Sequence, residues 1–260
     1  MLVSRSGLQT QGFPSSQLAN YGGSTFAKTV TLSDAGALGL GSFTAGSSVP
    51  ASAFTSGVAS AAPAYTYTSK LTAPATLSLR ATDTDGISSA GYTEGSSVLR
   101  SGRLRLANAF GRENAALQLT ALAEYWTGNA WVLNGSDSCT SVPAAAVALS
   151  NQRNGQGTAS SAWSTTPSAI TVAAGSGVLT LSAPTPAGTG SIDIGLNLGS
   201  AAADQSCLAS HPASTGAGAD WLRSRNGSCA ATFDRDPSAR ASFGIYSPET
   251  RKTIHARELF

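Results

Sequence analysis

From residue 26 onward the chain is written in short stretches whose apolar and polar positions alternate with period two. Phe26-Ala-Lys-Thr-Val-Thr-Leu, Ala64-Tyr-Thr-Tyr-Thr-Ser-Lys-Leu and Ala75-Thr-Leu-Ser-Leu-Arg-Ala-Thr-Asp all do so, each bounded by Gly, Pro or Ser/Asp clusters. The pattern predicts half-buried strands, because β-branched and aromatic side chains suit a pleated surface. Turn signals at 36–41, 46–50 and Pro74 break the chain at sandwich-like spacing. Residues 20–99 are therefore expected to form an immunoglobulin-like β-sandwich without the disulfide, and 1–19 an upstream linker or strand.

A second unit is expected over 100–260. Arg103-Leu-Arg-Leu-Ala-Asn alternates charged with apolar residues, and Ala116-Leu-Gln-Leu-Thr-Ala-Leu-Ala-Glu-Tyr-Trp follows a Gly111-Arg-Glu-Asn turn, which predicts a hairpin. Trp126-Thr-Gly-Asn-Ala-Trp131 reads as a tight turn in which Gly128 can take a positive φ, leading into a strand over 130–134. Apolar segments at 145–149, 169–173, 177–181 and 192–198 return at strand spacing between Ser/Thr/Gly/Pro turns, favouring sheet over disorder. Residues 240–246 and 254–260 suggest a closing hairpin around Ser247-Pro-Glu-Thr. The whole is an all-β chain: an immunoglobulin-like β-sandwich followed by a second β-sandwich-like domain.

Composition narrows the function classes. With 260 residues, 41% of them apolar, the chain can bury a core, while scarce Lys and Glu argue against helix bundles and coiled coils. Sixteen Lys+Arg against 14 Asp+Glu leave a net charge of +2, without the basic excess of a nucleic-acid binder. No apolar run approaches the roughly 18 residues that span a bilayer. The start lacks a basic segment leading into an apolar one. The Lys-poor, Ser/Thr/Gly/Ala-rich composition nevertheless resembles exported surface β-protein, so the chain is read as a fragment whose export signal lies upstream. The charges are bunched: ten fall in 80–125 and twelve in 220–260, against three in 141–219. Specific chemistry is expected in those two crowded blocks.

Asp83, Asp85 and Glu94 occupy positions 1, 3 and 12 of a calcium loop of EF-hand length. Ile87 and Ser88 stand where an oxygen ligand and a turn-making glycine belong, so a plain turn leaving a strand is the preferred reading over a Ca2+ site. Asp234, Arg235, Asp236 and Arg240 set two carboxylates between two guanidiniums, read as a turn braced by ion pairs, with Asp236 held extended before Pro237. Glycoside cleavage needs a pair of carboxylates, for which Glu113, Glu124, Asp234 and Asp236 are candidates that sequence alone does not pair. No nucleophile motif surrounds His211 or His255, and Cys139, Cys207 and Cys229 have no zinc spacing. In an exported chain they suggest one disulfide and one thiol, Cys207 with Cys229 first and Cys139 with Cys207 as the alternative. Trp126, Trp131, Trp163 and Trp221 fit a core or hairpin role better than a sugar-stacking one.

Five strings in order carry a resemblance: Leu79-Arg-Ala-Thr-Asp-Thr-Asp-Gly-Ile-Ser-Ser-Ala-Gly, Arg100-Ser-Gly-Arg-Leu-Arg-Leu-Ala-Asn-Ala-Phe-Gly, Glu124-Tyr-Trp, Asn134-Gly-Ser-Asp-Ser-Cys-Thr and Asp234-Arg-Asp-Pro-Ser-Ala-Arg-Ala-Ser-Phe-Gly-Ile-Tyr. Together they resemble the C-terminal domain of MshQ-like proteins, a bacterial family associated with mannose-sensitive haemagglutinin type IV pili. Glu113-Asn114 departs from the family pattern in a surface turn. The resemblance implies a large exported surface protein, located at the cell surface or on the pilus, with pilus or minor pilin proteins or surface glycans as partners. It supplies no catalytic residue. A non-enzymatic adhesion or assembly module is the expectation, with a carbohydrate-binding or carbohydrate-cleaving sandwich and a calcium-stiffened stalk as the alternatives.

Overall fold

A computed structural model describes residues 21–68, 70–206, 208, 211–224 and 235–244. Strands account for every regular element among them longer than four residues, which bears out the all-β reading. The chain divides into two compact units, one running to Ser101 and including Trp126–Asn129, the other formed by Gly102–Tyr125 and the chain from Ala130.

Unit 1 contains β1 (Val30–Asp34), β2 (Gly41–Ala45), β3 (Ser48–Val49), β4 (Ala64–Tyr67), β5 (Ala75–Asp83) and β6 (Gly95–Leu99). Their pairing gives a four-stranded sheet in the order β3-β1-β5-β6 and a β2–β4 ribbon. The antiparallel register Val30↔Asp83 through Asp34↔Leu79 puts Val30, Leu32 and Ala81 into one small core with Val49 and Phe54. A second cluster gathers Tyr65, Leu71, Leu77 and Leu99. The strand expected from residue 26 begins only at Val30. Gly23–Phe26 forms a helical turn closed by the Ala27 amide donating to the Gly23 carbonyl, and the Phe26 ring is left in solvent.

Unit 2 contains β7 (Gly102–Leu106), β8 (Ala109–Gly111), β9 (Leu117–Trp126), β10 (Trp131–Leu133), β11 (Ser141–Val142), β12 (Val147–Asn154), β13 (Ile170–Thr171), β14 (Ser176–Leu181), β15 (Gly190–Leu196) and β16 (Ser238–Phe243). One sheet has the order β10-β9-β14 with β7 on the other edge of β9, the second the order β12-β15-β16-β8, and β11 pairs with β13. The expected hairpin partners meet, Gly102↔Tyr125 through Leu106↔Ala121, but β8 intervenes and crosses to the second sheet, where it lies parallel to β16. A first strand split between two sheets, with β9 and β14 in one and β12, β15 and β16 in the other, is the strand order of an immunoglobulin-type sandwich. Gly128, in the turn after β9, has a φ of 111°.

Alternation sets the packing. Along β9, Leu117, Leu119, Ala121 and Ala123 point inward while Gln118 and Thr120 face water, as a half-buried strand requires. The inward residues join Leu179, Leu181, Ile192, Ile194, Leu196, Ala241 and Phe243 in one core. Fully burying a Leu, Ile or Phe side chain contributes about 1.5–3 kcal/mol, so this cluster dominates the unit. Strand β15 is different: all seven of its residues are buried, as in a central strand covered on both faces. The second arm of the expected closing hairpin, 254–260, lies outside the described residues.

Candidate functional site

The acidic string at the end of β5 folds as a turn. The Asp83 carboxylate accepts from the Asp85 and Ile87 amides, both at 2.9 Å, and Gly86 completes the reversal with a φ of 82°. Asp and Gly in this order favour such a turn unaided. Asp85 pairs with Lys28 at 3.3 Å, whereas Glu94 accepts from Arg80 Nε at 2.9 Å and from the Ser89 hydroxyl at 2.8 Å. The hydrogen bonds from Arg80 and Ser89 hold the Glu94 carboxyl below the usual range, and Glu94 in return raises the Arg80 guanidinium. Asp83, Asp85 and Glu94 thus serve three separate sets of partners. Among the described residues no three His, Cys, Asp or Glu side chains are gathered as a metal ion would need.

The buried ionic groups are in unit 2. Cross-strand register sets Glu124 opposite Arg103 and diagonal to Arg105, so its carboxylate accepts from Arg103 Nε at 2.7 Å and Arg105 Nε at 3.1 Å. The Arg103 guanidinium also lies 4.3 Å from the ring centre of Trp131, a cation–π contact. This outer-face cluster has guanidiniums where a glycoside-cleaving acid would need apolar surroundings.

On the second sheet, register places Asp193 opposite Arg240, and the guanidinium forks onto both carboxylate oxygens at 2.7 and 3.0 Å. The bond to Asp193 raises Arg240 above its ordinary value despite partial burial. A bulge between Ser150 and Arg153 turns Asn151, at a φ of 49°, so that its amide donates to Asp193 at 3.1 Å. Asp236, wholly buried before Pro237, receives Arg223 Nε at 2.7 Å and Nη2 at 3.2 Å, with the Leu198 and Gln205 amides at 3.1 and 2.7 Å. Four donors on one buried carboxylate tie the segment after β15, the 220–222 turn and the approach to β16 together.

Of the four residues expected to form an ion-pair turn at 234–240, the three described ones reach partners outside it. Asp236 goes to Arg223, Arg240 goes to Asp193, and Arg235 Nη1 donates to the Gln205 side chain at 3.4 Å. The reason is that β16 begins at Ser238, which extends the string and sends its charges to neighbouring strands. Asp234 lies outside the described residues, as do Cys207, Cys229 and His255. Cys139 is an exposed free thiol.

One further pair had no sequence signal. His211 Nδ1 contacts Asp204 Oδ2, with the two side chains only 6% and 3% exposed. The ring lies against β15 at Gly195, where any side chain would collide with His211 Cε1. Burial pushes the Asp204 carboxyl up, but hydrogen bonds from Ser206 and His211 outweigh it and hold the group below the usual range. Asp193 did leave a trace, as the lone charge inside an otherwise apolar strand, which implies a buried partner. Of the tryptophans, Trp163 is buried edge-to-face with Phe243 at 5.6 Å, Trp126 donates to the Thr72 carbonyl at 3.0 Å, and Trp221 is 44% exposed.

Two all-β units, one of them an immunoglobulin-type sandwich with buried carboxylates each met by a guanidinium, define an all-β protein. The chain belongs to the DUF6701 family: residues 100–259 match the model described as DUF6701, fourth domain. No curated protein matches the chain. Among solved structures it is similar to the Yersinia pseudotuberculosis adhesin InvE, at 13% identity and a TM-score of 0.32, over 86% of this chain and 50% of that one. The chain spans about half the length of that adhesin, and nothing about function transfers at this level of likeness. No helix among the described residues is long and apolar enough to cross a membrane.

Proposed function

We propose that the chain is a non-enzymatic module of an exported, pilus-associated surface protein, acting in adhesion or pilus assembly by presenting rigid sandwiches. The observation that supports this most is the use made of buried carboxylates. Glu124, Asp193 and Asp236 each accept from a guanidinium, so the groups best placed to act as acids or nucleophiles hold strands together instead. Ser- and Thr-dressed outer strand faces, and the resemblance of the five strings to MshQ-like proteins, support surface location and pilin or glycan partners. The test is binding of the purified chain to isolated type IV pili, minor pilins, bacterial cells and a glycan array, beside a glycan-hydrolysis screen. Retention by one of these without turnover supports the reading; no retention by any, or turnover, overturns it.

A second reading, carbohydrate binding, draws on the outward cluster of Trp131, Arg103, Arg105 and Glu124, since an aromatic ring beside polar forks suits a sugar. Under it, Trp131→Ala abolishes glycan retention and leaves pilin retention intact.

A further inference from the structure

The two ends of unit 2 meet in one parallel pair. β8 lies near the start of the unit and β16 ends its described part, yet Ala109, Phe110 and Gly111 pair with Ala241, Ser242 and Phe243. The pairing is extended at both ends. The Arg240 amide donates to Asn108 Oδ1 at 2.8 Å, and the Gly244 amide donates to the Gly111 carbonyl at 2.7 Å. On its other edge β16 is held to β15 over six register positions, and the Arg240 fork on Asp193 crosses that seam. Phe243 is wholly buried against Trp163, and Ala241 is wholly buried too, so β16 is anchored in the core as well as at both edges.

From this arrangement we infer that unit 2 is a load-bearing element whose β8–β16 pair works as a shear clamp. Tension carried along the chain enters through β7 and β8 and leaves through β16. Because the two strands are parallel, such tension pulls them in opposite directions along a common axis. Every hydrogen bond between them is then strained together. An antiparallel hairpin opened from its free end meets the load one bond at a time. The split of the first strand is what creates the clamp: β7 alone, antiparallel to β9, would leave β16 with an open edge. Asn108 and the Asp193–Arg240 fork then flank the parallel ladder on both sides of β16. The clamp goes beyond the proposed adhesive role and does not depend on which partner is bound.

The test is single-molecule pulling on the full 260-residue chain in two directions. In the first, handles sit at the two chain ends. In the second, one handle is moved to exposed Ala187, just before Gly190, the position paired with Phe243, so that load peels β16 from its carboxyl end. Rupture of unit 2 is recognised by the length released, on the order of 3.5 Å per residue. The expected result is a rupture force several-fold higher under end loading than under peeling. Asn108→Ala should lower the end-loaded force and leave the peeling force unchanged. Equal forces in the two directions overturn the clamp, and an Asn108→Ala chain that ruptures like the parent under end loading removes Asn108 from it. Whether the chain binds pili or glycans alters neither outcome, so failure here is separable from failure of the adhesive reading.

Discussion

The two units share an all-β design and differ in where they keep charge. In unit 1 the Lys28–Asp85 pair lies at the surface, Arg80–Glu94 is half-buried, the core is split into two small clusters, and the outer strand β6 has one buried residue, Leu99. Unit 2 has a single larger core, its buried Glu124, Asp193 and Asp236 are each met by a guanidinium, and β15 is buried along its whole length. The contrast shows two uses of the same chemistry. A surface pair adds little, because water already solvates both charges. A buried pair fixes geometry, because losing one partner leaves the other without solvent.

Asp236→Ala should be the severest substitution, since it removes the buried acceptor of Arg223 and of the Leu198 and Gln205 amides. The expected loss is about 3–5 kcal/mol, read by denaturant unfolding. Hydrogen exchange followed peptide by peptide should place the damage in unit 2, and damage spread evenly over both units would break the comparison. Leu32→Ala in the smaller core of unit 1 should cost about 2–5 kcal/mol, toward the lower end because small clusters relax around a cavity, and exchange should rise there alone. Acid provides a finer probe. Asp204 is held below its ordinary value of 3.8, so its contribution to stability is present above that pH and disappears as pH falls through the lowered value. Asp204→Asn should flatten the acid limb of the stability curve below about pH 4. Asp85→Asn, which removes only the exposed pair with Lys28, should leave the unfolding midpoint almost unmoved. Chelation of divalent cations should shift the melting temperature not at all, because a ligand held only by the folded state would raise it.

The strand framework was largely legible. Residues 75–83 read as a strand from their alternation and form β5 with those bounds, and 177–181 falls within β14. Alternation carries that far because period two is a local property of the chain. What it could not carry is partnership. β8 is three residues long, too short to show a period, and its crossing to the second sheet depends on β16, far along the sequence. Asp204 and His211 sit in a Ser/Ala-rich stretch without regular alternation, and Arg223 reaches Asp236 13 positions further along the chain. At the other end of the chain, Phe26 satisfied the strand pattern, but the turn at Gly23 left it exposed. The candidate acids were thus identifiable as residues, and their partners only from the folded register.

Gly195 bears on how this sequence can change over evolutionary time. Its backbone needs no glycine for conformational reasons; the need is for space, since the His211 ring occupies the place of a side chain. The two positions therefore form one inherited unit. In a set of relatives, a bulkier residue at the site of Gly195 should be accompanied by loss of the ring at the site of His211, and a lineage should pass between the two states through a small residue at both.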